Sequence, residues 1–339
     1  MRAEPVAAAQ RPGLRDDAAR RAAASRPGRR LVLLGLAAVA VSVVFLTYGA
    51  LDALALVGPL RVQRLAAMVL VGVAIAVSTV LFQTVTDNRI LTPAIMGFDA
   101  LYALIQTVAV YVLGTTAVVG LAPPVRFAGE VAVMLAFSFA LFRWLFGGAR
   151  RSLYLLVLVG IVLGVFFRSL STFLQRVIDP NDFLVVQDRL FASFNAVDPV
   201  LLLVGAVIVV ATCVWAWGMR RDLDVLLLGR DNAVALGVDH RRRSLAVLVV
   251  CALLVSVSTA LVGPITFFGL LVANLAYQVA GSHRHAYVLP AAALLSVVTL
   301  VGGQAILEHV FGLDTVLSVI IEFLGGIVFI ALLVCGGKR

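Results

Sequence analysis

The chain of 339 residues is 62% hydrophobic and only 13% charged, with a formal net charge of +9. Soluble domains are about 45–50% apolar and about 25% charged, so this composition excludes an ordinary water-soluble globular protein. Many apolar runs reach the roughly 20 residues that a helix needs to cross a bilayer. The composition therefore predicts an integral membrane protein.

Residues 1–30 precede the first apolar run and are rich in Arg, Ala and Pro, a composition typical of a disordered tail. Their arginines favour the cytoplasmic side, near anionic lipid. The next run, residues 31–50, exceeds the roughly 7–15 apolar residues of a cleaved signal peptide, so we expect it to be retained. Residues 31–339 are expected to form a single transmembrane domain.

Apolar segments recur along the whole chain and are predicted to be about ten transmembrane helices. Each is continuously apolar rather than alternating, which favours helices over the strands of a membrane barrel. The predicted fold class is therefore an all-α integral membrane protein. The predicted spans are 31–50, 65–86, 93–113, 127–147, 153–174, 200–219, 244–262, 264–280, 286–307 and 315–335.

Basic residues divide unevenly between the two sides that ten spans imply. With an interior N-terminus, 21 Lys and Arg residues fall in interior segments and 6 in exterior segments. The positive-inside rule then places both termini in the cytoplasm of a plasma-membrane protein. Topology accounts for the positive charge, so no nucleic-acid partner is predicted.

The sequence lacks the motifs of an ATPase, hydrolase or metal site. Its one lysine, Lys338, is followed by Arg339, whereas a phosphate-binding P-loop needs a lysine followed by Ser or Thr. It contains no nucleophile elbow, no zinc-protease motif and no Cys/His spacing for a metal. The chain is therefore predicted not to be an enzyme and to hold no metal or cofactor, and any ATP must bind a separate subunit.

The longest interior loop, 220–243, contains a short helical pattern between two glycines. An acidic or amide residue is placed to cap its start, with Asp231 and Asn232 as the candidates, and Ala233 and Leu236 stand on one apolar face. The helix either packs on the membrane surface or docks a cytoplasmic partner. The candidate docking residues are Gly229, Arg230, Asp231, Asn232, Ala233, Leu236 and Gly237.

Two exterior arginines, Arg61 and Arg64, stand three residues apart just before the second span. At a helix start this spacing points both guanidinium groups the same way. They either anchor lipid headgroups or bind carboxylates of an acidic extracellular partner.

Three ordered motifs resemble the permease subunits of ATP-binding-cassette (ABC) importers for iron–siderophores, haem and vitamin B12. Residues 61–65 are similar to the family's Arg-Leu-Pro-Arg segment at the second helix. Residues 229–238 are similar to its coupling segment, Leu-Gly-x-x-x-Ala-x-x-Leu-Gly-Val. Residues 262–270 resemble its Gly-Pro-Ile-x-Phe-x-Gly-Leu stretch.

Two further segments, 87–99 and 174–183, resemble the branch of that family often linked to catecholate-type siderophores. The resemblance implies a fold like the vitamin B12 importer permease and the import of a ferric siderophore. It also implies three kinds of protein partner: a cytoplasmic ABC ATPase dimer, a second permease that is identical or a paralogue, and an extracellular or periplasmic substrate-binding protein. In this family the coupling segment meets the ATPase, and arginines at the positions of Arg61 and Arg64 meet the binding protein.

The fifth span, 153–174, is the candidate for the translocation path, as the resemblance implies. Its outer end is mixed in polarity, and the candidate path residues are Phe167, Arg168, Ser171 and Thr172. The same span carries Gly160 and Gly164 in a small-xxx-small pattern that allows close helix packing. Packing and transport are compatible on opposite faces.

The chain departs from the family pattern at three places. Arg89 stands where the family has proline, Ala273-Asn274 where it has Pro-His, and Leu307 where an exterior arginine is expected. These departures leave haem and cobalamin open as alternative substrates.

Another class of transporter also fits the residues. A secondary transporter would bind an ion or proton at the bilayer midplane through Asp99, Glu322 or Arg168. A polytopic membrane enzyme has less support, because the sequence shows no catalytic cluster.

Overall fold

The computed structural model describes residues 27–48, 54–146, 153–195, 197–310 and 317–336. Most of the predicted tail, residues 1–30, lies outside the described residues, and its last four residues begin the first helix. The helices are α1 (Pro27–Thr47), α2 (Leu54–Thr86), α3 (Phe98–Leu113), α4 (Thr115–Gly120), α5 (Pro123–Phe146), α6 (Leu153–Gln175), α7 (Pro180–Leu190), α8 (Pro199–Gly218), α9 (Arg220–Leu226), α10 (Arg230–Ala235), α11 (His240–Val262), α12 (Phe268–Ala280), α13 (His285–Val310) and α14 (Leu317–Gly336).

Seven of these helices are long and apolar enough to cross a membrane, and three shorter apolar helices lie at 98–113, 268–280 and 317–327. Together they coincide with the ten predicted spans. No strand occurs in the described ranges. The predicted all-α membrane fold is confirmed.

The core of the bundle is formed by α2, α11 and α13. α2 contacts α11, α12 and α13, and α13 also packs against α1. Fully buried side chains such as Met68, Phe82 and Leu248 fill the space between these helices. In contrast, α1, α6 and α8 expose most of their apolar side chains, as expected for surfaces that face lipid or another subunit.

Two short helices begin inside the bundle after breaks in the chain. α3 follows the segment 87–97, which holds a 3₁₀ turn at Pro93–Met96 and ends at Gly97 with φ +86°. α12 follows the segment 263–267, which ends at Phe267 with φ +61°. Both cap residues are left-handed, a conformation that redirects the chain sharply. The breaks let both helices start inside the bundle, where Phe98 and Phe268 are buried.

The first break is held by glycine-to-glycine packing against α6. A Cβ atom added at Gly160 would lie 2.8 Å from the Cα atom of Met96, and one added at Gly97 would lie 3.1 Å from the Cα atom of Gly164. The small-xxx-small pattern on α6 therefore allows close approach of another segment, as predicted. The segment that approaches α6 is the turn before α3.

Replacing Gly160 with valine tests this contact. The new side chain has no free space against Met96, and overpacking of this kind costs about 1–3 kcal/mol. We expect Gly160→Val to lower the thermal unfolding temperature of the detergent-solubilised protein. Gly129→Val in α5 is the matched control, because an added Cβ there meets nothing within 4 Å. Equal unfolding temperatures for both variants would contradict the packing assignment.

Candidate translocation cavity and docking surfaces

A cavity of about 870 Å³ lies where the two breaks meet α6. Its wall combines the segment 90–97, the first turn of α3, the outer half of α6 and the start of α12. Most of the lining is apolar. The polar lining residues are Thr92, Asp99, Arg168, Ser169, Thr172, Arg176 and Thr266.

Two of the four predicted path residues, Arg168 and Thr172, line this cavity. Phe167 and Ser171 are not among the lining residues, and their place on the path stays a prediction. The Phe167 ring packs edge-on against Phe137 with centroids 5.3 Å apart. Ser171 is buried, and its hydroxyl lies 2.8 Å from the hydroxyl of Thr107 on α3. Phe167 therefore packs α6 against α5, and Ser171 links α6 to α3.

The structure adds Arg176 and Asp99 to the cavity wall. Arg176 follows Arg168 and Thr172 at four-residue intervals, so helical periodicity would have placed it on the same face. Asp99 stands in the first turn of α3 and accepts a hydrogen bond of 3.2 Å from the Thr266 hydroxyl. Only the tertiary structure brings Thr266, 167 residues away, to this carboxylate.

The predicted coupling segment forms the short helix α10 at the end of the loop 220–243. Its N-cap is Gly229, with φ +87° and no side-chain cap, so the prediction that Asp231 or Asn232 caps it is wrong. Asn232 instead donates from Nδ2 to the carbonyl of Leu228, at 2.7 Å. Gly237 has φ +82°, as predicted for the left-handed end.

Ala233 and Leu236 do not share an exposed face. Ala233 is fully buried against the rest of this chain, which corrects its predicted place on the docking surface. Val234 and Leu236 are exposed at 58% and 62%, and they provide the outward apolar surface of α10. Arg230 and Asp231 are also exposed.

The two arginines predicted to lie on the exterior converge on one buried carboxylate. Arg61 and Arg64 place guanidinium nitrogens 3.9 and 3.6 Å from the oxygens of Glu308 on α13. Arg61 also donates to the carbonyls of Phe45 and Tyr48, at 2.7 and 2.8 Å, and so closes the end of α1. Its side chain is only 11% exposed, whereas that of Arg64 is 30% exposed. Arg64 is therefore the member of the pair that an external partner can reach.

Known proteins resemble this chain along most of its length. Residues 30–335 match the FecCD transport family.

The chain belongs to the FecCD transport family.

Among curated relatives, the petrobactin import system permease protein YclO of Bacillus subtilis is 48% identical over 280 residues, covering 83% of this chain and 89% of the relative. The petrobactin import system permease protein FatC of Bacillus anthracis is 38% identical over 274 residues, covering 80% and 77%. The vitamin B12 import system permease protein BtuC of Vibrio parahaemolyticus is 27% identical, covering 81% of each chain.

The fold agrees with that of a solved structure. A metal-chelate type ABC transporter in an inward-facing conformation superposes with a TM-score of 0.78 at 22% identity, covering 91% of this chain and 99% of that chain. The predicted resemblance to ABC importer permeases is confirmed. Membership in the FecCD family makes the alternative of an ion-coupled secondary transporter wrong.

Arg89 and Asn274, two residues that depart from the family pattern, contact each other near the cavity. The Asn274 side chain on α12 donates to the carbonyl of Arg89, at 3.1 Å, although 185 residues separate them. The Arg89 guanidinium lies 4.7 Å from the ring centroid of Tyr277 and 3.2 Å from Nδ1 of His283. This FecCD chain therefore joins the first break to α12 with its own set of polar contacts.

A buried histidine links the coupling region to the core of the bundle. The Asp224 carboxylate on α9 lies 2.7 Å from both the backbone nitrogen and Nδ1 of His285, the first residue of α13. On the other side of the ring, Nε2 lies 2.8 Å from the Thr84 hydroxyl near the end of α2. α9 immediately precedes α10, so the coupling segment is tied to two core helices.

Removal of the Asp224 carboxylate tests this link. Asp224→Ala leaves the first N–H of α13 and the buried imidazole without their acceptor, at a cost of about 1–3 kcal/mol. We expect a clear fall in the thermal unfolding temperature, with partial recovery in Asp224→Asn, which keeps one acceptor oxygen.

Asp222→Ala on the same helix is the control. It removes only a partly exposed ion pair with Arg243, at 3.0 Å, and such pairs contribute about 0–1 kcal/mol. Similar unfolding temperatures for Asp224→Ala and Asp222→Ala would contradict the structural role of Asp224.

Proposed function

We propose that this chain is the translocation subunit of an ABC importer that carries a ferric siderophore of the petrobactin type into the cytoplasm. Its identity of 48% and 38% to two petrobactin permeases carries the proposal. Permeases named for vitamin B12, hemin, ferric enterobactin and ferric dicitrate are only 26–28% identical. Haem and cobalamin are therefore less supported substrates.

The proposed assembly has a cytoplasmic ATPase dimer, a second permease and an external substrate-binding protein. The chain carries no P-loop lysine, so ATP would be hydrolysed on the partner ATPase. The distribution of 21 interior and 6 exterior basic residues supports cytoplasmic termini and a cytoplasmic α10. The exposed apolar face of α6 beside the cavity, with Val162 at 59% and Phe166 at 57% exposed, is the surface we assign to the second permease.

Uptake of iron chelates by cells tests the proposed substrate. A petrobactin-transport-deficient strain would receive this permease with its ATPase, second permease and binding protein. We expect uptake of ferric petrobactin to be restored, with no gain in uptake of hemin or cobalamin. Restored growth on hemin or cobalamin without petrobactin uptake would instead place the chain with another FecCD substrate.

The coupling proposal rests on the outward apolar surface of α10. Leu236→Asp places a charge where we expect an apolar ATPase groove, without disturbing the buried Ala233. We expect the ATPase to dissociate from the purified complex, or uptake to fall at least about tenfold, with the permease still folded. Leu184→Asp in α7 is the matched control, because Leu184 is also 62% exposed but lies on the proposed exterior. Wild-type uptake and full ATPase retention in Leu236→Asp would remove α10 as the docking helix.

The binding-protein proposal rests on Arg64, the more exposed of the two exterior arginines. Arg64→Gln should weaken binding of the substrate-binding protein several-fold, and most strongly at low ionic strength, because exposed charge pairs are screened by salt. Arg61→Gln should instead lower thermal stability, since it loses two carbonyl contacts at the end of α1. Titration of the binding protein onto reconstituted complex measures the affinity, and thermal unfolding of each purified variant measures the stability. Unchanged affinity in Arg64→Gln would favour headgroup anchoring.

A further inference from the structure

Two arginines and a threonine form a polar stripe along α6 and the turn that follows it. Arg168 and Thr172 are four residues apart on α6, and Arg176 stands in the turn directly after Gln175, the last residue of the helix. At about 1.5 Å per residue, the two arginines are separated by about 12 Å along the helix axis. All three residues are exposed and line the cavity.

Neither guanidinium is neutralised by a nearby carboxylate. Among the residues that the structure describes, no acidic oxygen lies within 4 Å of Arg168 or Arg176. Asp99 is the acidic residue in the cavity wall, and it attracts Arg168 only from a distance. Its carboxylate is already engaged by Thr266 and stands in the first turn of α3, where negative charge is favourable.

Three arginines elsewhere in the helices have such partners. Arg61 and Arg64 share Glu308, and Arg126 lies 3.8 Å from Glu130. Charged side chains within a membrane protein are costly and mark ligand pathways by default. Arg168 and Arg176 are thus the cations of the cavity that are available to a passing anion.

Guanidinium groups suit the oxygen-rich anions that bind ferric iron. Each fork donates two parallel hydrogen bonds to a carboxylate or to adjacent catecholate oxygens. A ferric ion ligated by three doubly charged oxygen chelators carries net negative charge, because the ligand charge exceeds that of the metal. Two forks about 12 Å apart can hold such a complex successively as it moves along α6.

We propose that Arg168 and Arg176 form an anion-binding ladder that draws a negatively charged ferric chelate through the cavity. This inference rests on the proposed function and names the residues that select its substrate by charge. Asp99 lies at the Arg168 end of the ladder. Its negative charge weakens the attraction between Arg168 and a bound anion. A translocation site must release what it binds, and this arrangement permits release toward the cytoplasm.

Transport by the full importer in proteoliposomes tests the ladder. The probe is ferric petrobactin delivered by the binding protein. We expect Arg168→Gln combined with Arg176→Gln to reduce uptake at least about tenfold, since each variant loses a charge-assisted contact. Basal ATPase activity and affinity for the binding protein should stay within about twofold of wild type. Replacing both arginines with lysine should restore part of the uptake, because charge remains but the planar fork is lost.

Arg143→Gln is the matched control, since Arg143 is exposed on α5 but does not line the cavity. Wild-type uptake by the double glutamine variant would overturn the ladder while leaving the proposed function intact. Equal losses in the double lysine and double glutamine variants would also overturn it, because charge would then be irrelevant. A wild-type importer that takes up no ferric petrobactin overturns the proposed function and the ladder with it.

Discussion

The close approach of the segment 93–97 to α6 is the constraint on which the cavity depends. Three glycines make it possible, since any side chain at Gly97, Gly160 or Gly164 would enter the opposing backbone. The contact fixes where α3 begins, and therefore where Asp99 stands relative to Arg168. Dense packing of small residues is the usual means by which helices in lipid gain attraction. Here the same packing also builds one wall of the proposed transport path.

The ionisable residues of this chain divide into those with structural partners and those that face the cavity. Glu308 sits between two arginines, Glu130 accepts a hydrogen bond from Gln106, and His285 is held by Asp224. Burial without partners would cost several kcal/mol, so such pairing is what a membrane interior demands. Among the described residues, Arg168 and Arg176 have no carboxylate within ion-pair distance. Their exposure inside a cavity gives them access to solvent or substrate rather than to a protein carboxylate.

In the proposed coupling region, the exposed helix α10 is connected to the core helices. α10 exposes Val234 and Leu236 toward the proposed ATPase while burying Ala233 in its own chain. The preceding helix, α9, is bound through Asp224 to the start of α13. A short buried link, Asp224–His285–Thr84, thus joins the helix next to α10 to two core helices.

The amino-acid sequence alone determined the class of protein, the apolar spans and the family, because these follow from hydrophobic length and local motifs. It also singled out Arg168 and Thr172, which the structure places in the cavity wall. Only the tertiary structure showed that Phe167, Ser171 and Ala233 pack against other parts of the chain. It also showed that the Arg61 guanidinium binds a carbonyl at the end of α1 and the carboxylate of Glu308. A lipid-facing helix is apolar on every side, so its sequence does not show which face meets a neighbour, and only the packed bundle does.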